Sequence, residues 1–186
     1  MAAPTIQPGK LLLAEPFMRD SHFKRTVVLL TDHGEGGSVG FILNKQIDSS
    51  IDDLVADFPE FNSTVFYGGP VQTDTIHYIH NVGDLLDDST RIADGVYWGG
   101  NFEKLKFLIT AELIKPKNIR FFVGYSGWSE GQLQDELDAN SWIVTPNATK
   151  ELVFDQDVEA LWKRVLKGLG GRYNVYSNYP TDPRLN

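Results

Sequence analysis

Cysteine is absent from the 186 residues, which excludes disulfides, thiolate zinc sites, iron–sulfur clusters and cysteine nucleophiles. Whatever chemistry the chain performs runs on oxygen and imidazole. Long apolar runs are missing too. The first, Leu11 to Ala14, is cut by Glu15 and Pro16 and follows no basic segment, so neither a signal peptide nor a spanning helix of about 18 apolar residues is expected, and the reading is cytoplasmic. Positive charge is scarce: 17 Lys+Arg stand against 25 Asp+Glu, a formal net charge of -8. Such a field repels phosphate backbones and anionic lipid, which disfavours nucleic-acid and membrane partners. No repeat period or low-complexity linker interrupts the chain. Its 41% hydrophobic and 12% aromatic content is that of an ordinary folded protein, one domain over residues 1–186. A domain of this size buries roughly 70% of its unfolded surface.

Three β-branched or aromatic runs read as strands: Thr26 to Thr31, Val39 to Leu43 and Ile119 to Val123. The first hardly alternates, so it should be covered on both faces. Shorter candidates are Leu11 to Ala14, Thr64 to Tyr67, Thr75 to His80 and Ser141 to Thr145. The Gly-rich stretch between the first two long strands has hairpin length, which predicts an antiparallel pair. Helices are marked by their caps. Ser129 and Gln132 fit a capping box, with Trp128 and Leu133 as a staple, ahead of a helix over 130–139 that Asn140 stops. A second helix follows Asp155 to Asp157, buries Val158, Leu161, Trp162, Val165, Leu166 and Leu169, and ends at Gly170-Gly171. A third begins near Asn101 and must stop before Pro116; a short one follows Ser49-Ser50. Interleaved helices and strands with a hairpin predict an α+β or mixed α/β layered fold.

Residues able to carry chemistry are few. Gly34, Gly36, Gly37 and Gly40 lead into a strand, not a helix, and no G-K-[ST] occurs, so the spacing gives no nucleotide loop. Gly68-Gly69-Pro70 reads as a tight turn whose glycines take positive φ. Gly124-Tyr125-Ser126-Gly127-Trp128 follows a strand and precedes a capped helix, the setting of a serine nucleophile elbow, except that Trp128 occupies the last glycine position. A hydrolase using Ser126 would need His33 or His80 as base, with Asp20 or Asp32 to orient it. The plainer reading has Ser126 satisfying backbone groups in a turn. On a strand, His77 and His80 face opposite ways and cannot share a metal; no metal or cofactor is called for. Trp142 and Trp162 read as core, and Asp52-Asp53 and Asp87-Asp88 as a helix start and a polar turn. Tyr173, Tyr176 and Tyr179 should lie on something, so residues 172–186 are expected to dock on their own domain or on a second subunit of a homodimer.

Taken together, the segment from Gly9 to His33 and the blocks GFILNK (Gly40 to Lys45), YGGPV (Tyr67 to Val71), GVYWGG (Gly95 to Gly100) and GYSGWSEGQLQDEL, with Trp142 downstream, resemble the YqgE/AlgH family of bacterial proteins, in the family's order and over most of residues 9 to 145. The resemblance implies an α+β fold in which a bifurcated, mostly antiparallel sheet curls into a pseudo-barrel flanked by helices, in a bacterial cytoplasmic protein. It implies no agreed reaction, and one branch carries the label of a transcriptional regulator of alginate synthesis. The family-type polar positions by that resemblance are Asp20, Arg25, His33, Asn44, His80, Ser126, Gln132 and Glu136. The tail after about residue 172 departs from the family pattern. No helix-turn-helix signature supports direct DNA binding, whereas an acidic surface suits regulation through a protein partner.

The expectation from residues and resemblance is therefore a binding or regulatory protein rather than an enzyme. Arg25, Asn44, His80, Ser126 and Gln132, with Asp20, Gly68, Gly69 and Trp128, would serve a small polar ligand or a protein partner. A Ser126 hydrolase is the first alternative and a direct DNA-binding transcriptional regulator the second.

Overall fold

The computed structural model describes residues 5–182 and Arg184. Ten strands form one branched sheet, and its topology follows from which runs are apolar on both faces. β1 (Lys10–Ala14), β2 (Val27–Gly34) and β3 (Gly37–Ile42) form an antiparallel meander. The hairpin expected between β2 and β3 is present, turning through Glu35 and Gly36. Val27, Val28, Leu29 and Leu30 are all fully buried: Val27 and Leu29 join one core cluster, Val28 and Leu30 another. Period-2 alternation sends neighbours to opposite faces, so a strand without polar alternation is one covered on both sides.

β9 (Ile119–Trp128) is where the sheet forks. One of its edges pairs with β6 (Val71–His80), antiparallel, over most of its length. Its other edge is shared. Phe121, Phe122 and Val123 pair in parallel with β5 (Thr64–Tyr67), whereas Ser126, Gly127 and Trp128 pair antiparallel with β3. β5 continues to β4 (Gln46–Ser50), and β6 to β8 (Val96–Trp98) and β7 (Thr90–Ala93). β10 (Trp142–Asn147) pairs with β1 and, like β7, ends the path, so the sheet curls without closing into a barrel.

Both branches share one core. Leu11 and Leu29 from one, Ile79, Ile92 and Val96 from the other, and Phe41 and Phe122 at the fork belong to a single cluster. α5 (Leu161–Gly168) fills its open side with Leu161, Trp162, Val165 and Leu166, the stripe the sequence predicts, although the helix begins at Leu161 with Val158 packed just ahead of it. Outer faces are covered separately. α2 (Phe102–Thr110) covers β5, β6 and β9 through Leu105, Leu108 and Ile109, and α3 (Gln132–Asp138) covers the meander through Leu133. Asn101 caps α2 by accepting from Lys104 N at 2.9 Å. α1 (Ile51–Leu54) is the short helix expected after Ser50, while α4 (Lys150–Val153) and α6 (Arg172–Tyr176) were not foreseen.

Three sequence readings need correction. Gly124 to Trp128 is strand rather than turn, because β3 supplies ladder partners up to Trp128. β4, β7 and β8 were missed; they are short and half-exposed, so composition does not mark them. The Ser129 hydroxyl does not accept from a first-turn amide. It donates to Gln132 Oε1 (3.3 Å), and Gln132 reaches back to Ser129 N at 3.0 Å as expected.

Candidate functional site

The polar residues singled out by sequence are distributed over five places. At the fork, Ser126 is fully buried and its hydroxyl donates to the Gly68 carbonyl at 3.0 Å. The same oxygen accepts from Ile42 N at 2.9 Å, so one carbonyl ties β3, β5 and β9 together. Backbones approach so closely that a Cβ on Gly68 would lie 2.3 Å from Gly124 O, and one on Gly69 2.2 Å from Tyr125 C. Close approach is thus what both positions require; positive φ, expected of both, occurs at Gly69 alone.

A second cluster pins the chain between β1 and β2. Asn44 Oδ1 accepts from Val27 N and its Nδ2 donates to Arg25 O, both at 2.9 Å. Arg25 holds φ at 54°, lays its guanidinium 4.8 Å from the centre of the Trp162 ring and donates to the Tyr179 carbonyl. Asp20 accepts from His22 N at 2.8 Å. Lys45 donates to the carbonyls of Ser21 and His22, and the Tyr67 hydroxyl meets His22 Nδ1 at 2.8 Å. Burial holds the Lys45 ammonium below its ordinary pKa, against the pull of Asp20.

The third place is β6. His80 is fully buried; its Nε2 lies 2.8 Å from Gly99 O and 3.0 Å from Ser89 Oγ, and its Nδ1 accepts from Val82 N. The proton therefore sits on Nε2, the wrong tautomer for a base toward Ser89. Burial lowers the His80 pKa, the Gly99 carbonyl acting in the opposite sense. The fourth place joins α3 to the meander. Glu136 Oε2 accepts from Trp128 Nε1 (2.9 Å) and Trp142 Nε1 (2.7 Å), while Gln132 Nε2 donates to Glu136 Oε1 (3.0 Å). Phe23 closes the cluster against both indoles. His33 stands apart on the exposed β2–β3 hairpin, 2.8 Å from Ser38 Oγ.

Arg25, Asn44, His80, Ser126 and Gln132 consequently do not converge on one groove; each is committed to backbone or side-chain partners of its own. Among the described residues no hydrogen bond joins Ser126 to a histidine, or His33 or His80 to Asp20 or Asp32. A nucleophile must face an open pocket with its base in reach. A buried hydroxyl bonded to a carbonyl in a strand interior does neither. Among the described residues no group of three or more His, Asp and Glu is placed to hold a metal ion.

Elsewhere lies a cleft of about 670 Å³, lined by Glu15 to Phe17, the C-terminal part of α3, Trp142 to Val144 of β10, and Arg172, Tyr173, Tyr176 and Tyr179. α3 packs on one face of the meander, and Tyr173 and Tyr176 on the other. A cleft lined by both must run along the free edge of β10. The rings of Tyr173, Tyr176, Tyr179 and Phe17 follow one another at 6.0, 5.5 and 5.3 Å between centroids and form one wall. The tyrosines were noticed in the sequence; Phe17 and the edge of β10 carried no local signal.

This architecture defines a class: α+β proteins built on a forked, mostly antiparallel sheet, in which buried polar side chains brace the fork and the chain entry. The family model described as AlgH-like matches residues 11–174, and the chain belongs to that family. Among its relatives, the UPF0301 protein of Chlorobium limicola is 45% identical over 181 residues, 97% of this chain and 96% of the relative. The UPF0301 protein of Cytophaga hutchinsonii is 44% identical over 179 residues, 96% and 98% of the two chains. Of solved structures, the AlgH protein from Pseudomonas aeruginosa superposes with a TM-score of 0.74 at 26% identity, covering 97% of each chain. Protein DIP2367 from Corynebacterium diphtheriae gives 0.79 at 24% identity, over 96% of this chain and 95% of that one, and shares the fold.

Proposed function

We propose that the chain is a binding protein of regulatory type, and that its recognition surface is the β10 cleft, which takes an extended segment of a protein partner. The observation that carries this reading is that an unpaired sheet edge forms the floor of an aromatic-walled cleft. An edge strand presents free N–H and C=O groups to which an extended peptide can add as a further strand, while side pockets read alternate residues. Tyrosines add large contact area at small entropic cost together with hydroxyls that hydrogen-bond. Promiscuous pairing of this edge is limited by Pro146 within β10 and by the flanking helices. Glu15, Asp138 and Arg172 give the lining both signs of charge, which suits a segment of low net charge.

Selection of peptides from a random display library on the full chain, followed by titration of the labelled protein, tests the reading. Saturable amide shifts at Ile143, Val144 and residues 173–179, weakened by Tyr176→Ala, are expected. No selectable peptide, shifts confined to another surface, or a dimer that occupies the β10 edge would refute it.

A further inference from the structure

Arg120 interrupts an apolar run. Ile119, Phe121 and Phe122 beside it are buried, and Arg120 itself is 4% exposed. Its Nη1 donates to Leu43 O at 3.1 Å, its Nη2 to the Asp155 carbonyl, and its guanidinium lies 4.4 Å from the centre of the Phe66 ring. Among the described residues no carboxylate hydrogen-bonds to it, since the Asp155 side chain is paired with Arg164. Burial without a bonded counter-charge is costly and pushes the guanidinium pKa down to about 10, the Asp155 charge opposing.

This cation lines a pocket of about 290 Å³, at the start of β5 and beside the 3₁₀ turn Pro116–Asn118. No Asp or Glu lines the pocket, in a chain that has 25 of them, whereas Lys117 does. Gln46, Asn62, Ser63, Thr64 and Gln156 complete the polar wall, Gln156 donating to the Phe154 carbonyl at 3.0 Å. Of the other four side chains and that of Lys117, none has a hydrogen bond or ion pair among the described residues. Two cations and four uncommitted neutral donors around one small hollow are what a tetrahedral oxyanion needs, since it offers more acceptor oxygens than a carboxylate. The volume is at the low end for small-molecule sites, about 300 Å³, too small for a nucleotide.

From this arrangement we infer that the pocket binds a phosphate group, free or carried on a small ester, with Arg120 and Lys117 supplying the charge and Gln46, Asn62, Ser63 and Thr64 the remaining donors. It shares no lining residue with the β10 cleft, so the two proposals stand or fall separately.

The test is amide chemical-shift titration of the full chain with inorganic phosphate and with glycerol phosphate at constant ionic strength, acetate serving as the carboxylate comparison. Saturable shifts at residues 62–64 and 117–120, with a Kd at or below about 1 mM, are expected. Lys117→Gln should weaken binding about fivefold to tenfold. Thr64→Glu, which places a carboxylate in the pocket, should abolish it; both positions are exposed, and an unchanged spectrum verifies that the variants fold. A tighter ester identifies the ester as ligand, and equal affinity identifies free phosphate. Shifts that fail to saturate, that scatter over the surface, that acetate reproduces, or that survive Thr64→Glu would overturn the inference.

Discussion

Glu136→Ala isolates what the buried polar residues do. The Glu136 carboxylate accepts from two indoles, Trp128 and Trp142, each 5% exposed. Alanine leaves two buried N–H donors without partners, each costing about 1–3 kcal/mol before water that enters the vacated volume recovers part of it. A net loss of about 2–4 kcal/mol follows, which in a chain of this length lowers Tm by roughly 5–15 °C. Urea unfolding followed by circular dichroism, with tryptophan fluorescence as a second probe, measures it. Trp128→Phe removes one of the two donors, so in that background the cost of Glu136→Ala should shrink by about 1–2 kcal/mol. The bracing argument fails if Glu136→Ala costs less than about 0.5 kcal/mol, the range of an ordinary surface change, or if the two substitutions are additive.

Two further expectations concern groups that could be mistaken for catalysts. Ser126→Ala removes one of the two bonds to Gly68 O and should cost about 1 kcal/mol, and the parent protein should resist fluorophosphonate labelling; labelling at Ser126 would restore the hydrolase. His77 and His80 are both held below their ordinary value of 6.5 chiefly by burial. The unfolded chain therefore binds protons that the folded chain refuses. Stability is complete above pH 6.5 and declines as pH falls from there toward the folded pKa values, a decline that denaturant unfolding between neutral and mildly acid pH measures and that His80→Asn should reduce.

Strands and helices were legible where burial on one face imposes a period. The α5 stripe, the Asn101 cap and the doubly covered β2 each follow from residue type and spacing. β4, β7 and β8 were not, because their pairing is set by long-range neighbours rather than by their own composition. The elbow reading of Gly124 to Trp128 failed for a related reason: Ser126 resembles a turn serine until β3, far away in sequence, pairs with it. The family resemblance marked Asn44, Ser126 and Gln132 as polar positions, but neither it nor the residues could show that each is committed to a different set of partners. Arg120 did carry a signal, one charge inside an apolar strand, whose meaning depended on which acids stayed out of reach.

β9 also sets an order of events during synthesis. Its partners β3, β5 and β6 all precede it in the chain, so neither branch can be completed until residues 119–128 have emerged from the ribosome. Until then the nascent chain carries two apolar half-sheets with unsatisfied borders, the kind of intermediate that invites chaperone capture. The strand that gives the molecule its forked shape is thus the wedge that turns two loose flaps into one body, with β10 and α5 following it to finish the border and the core.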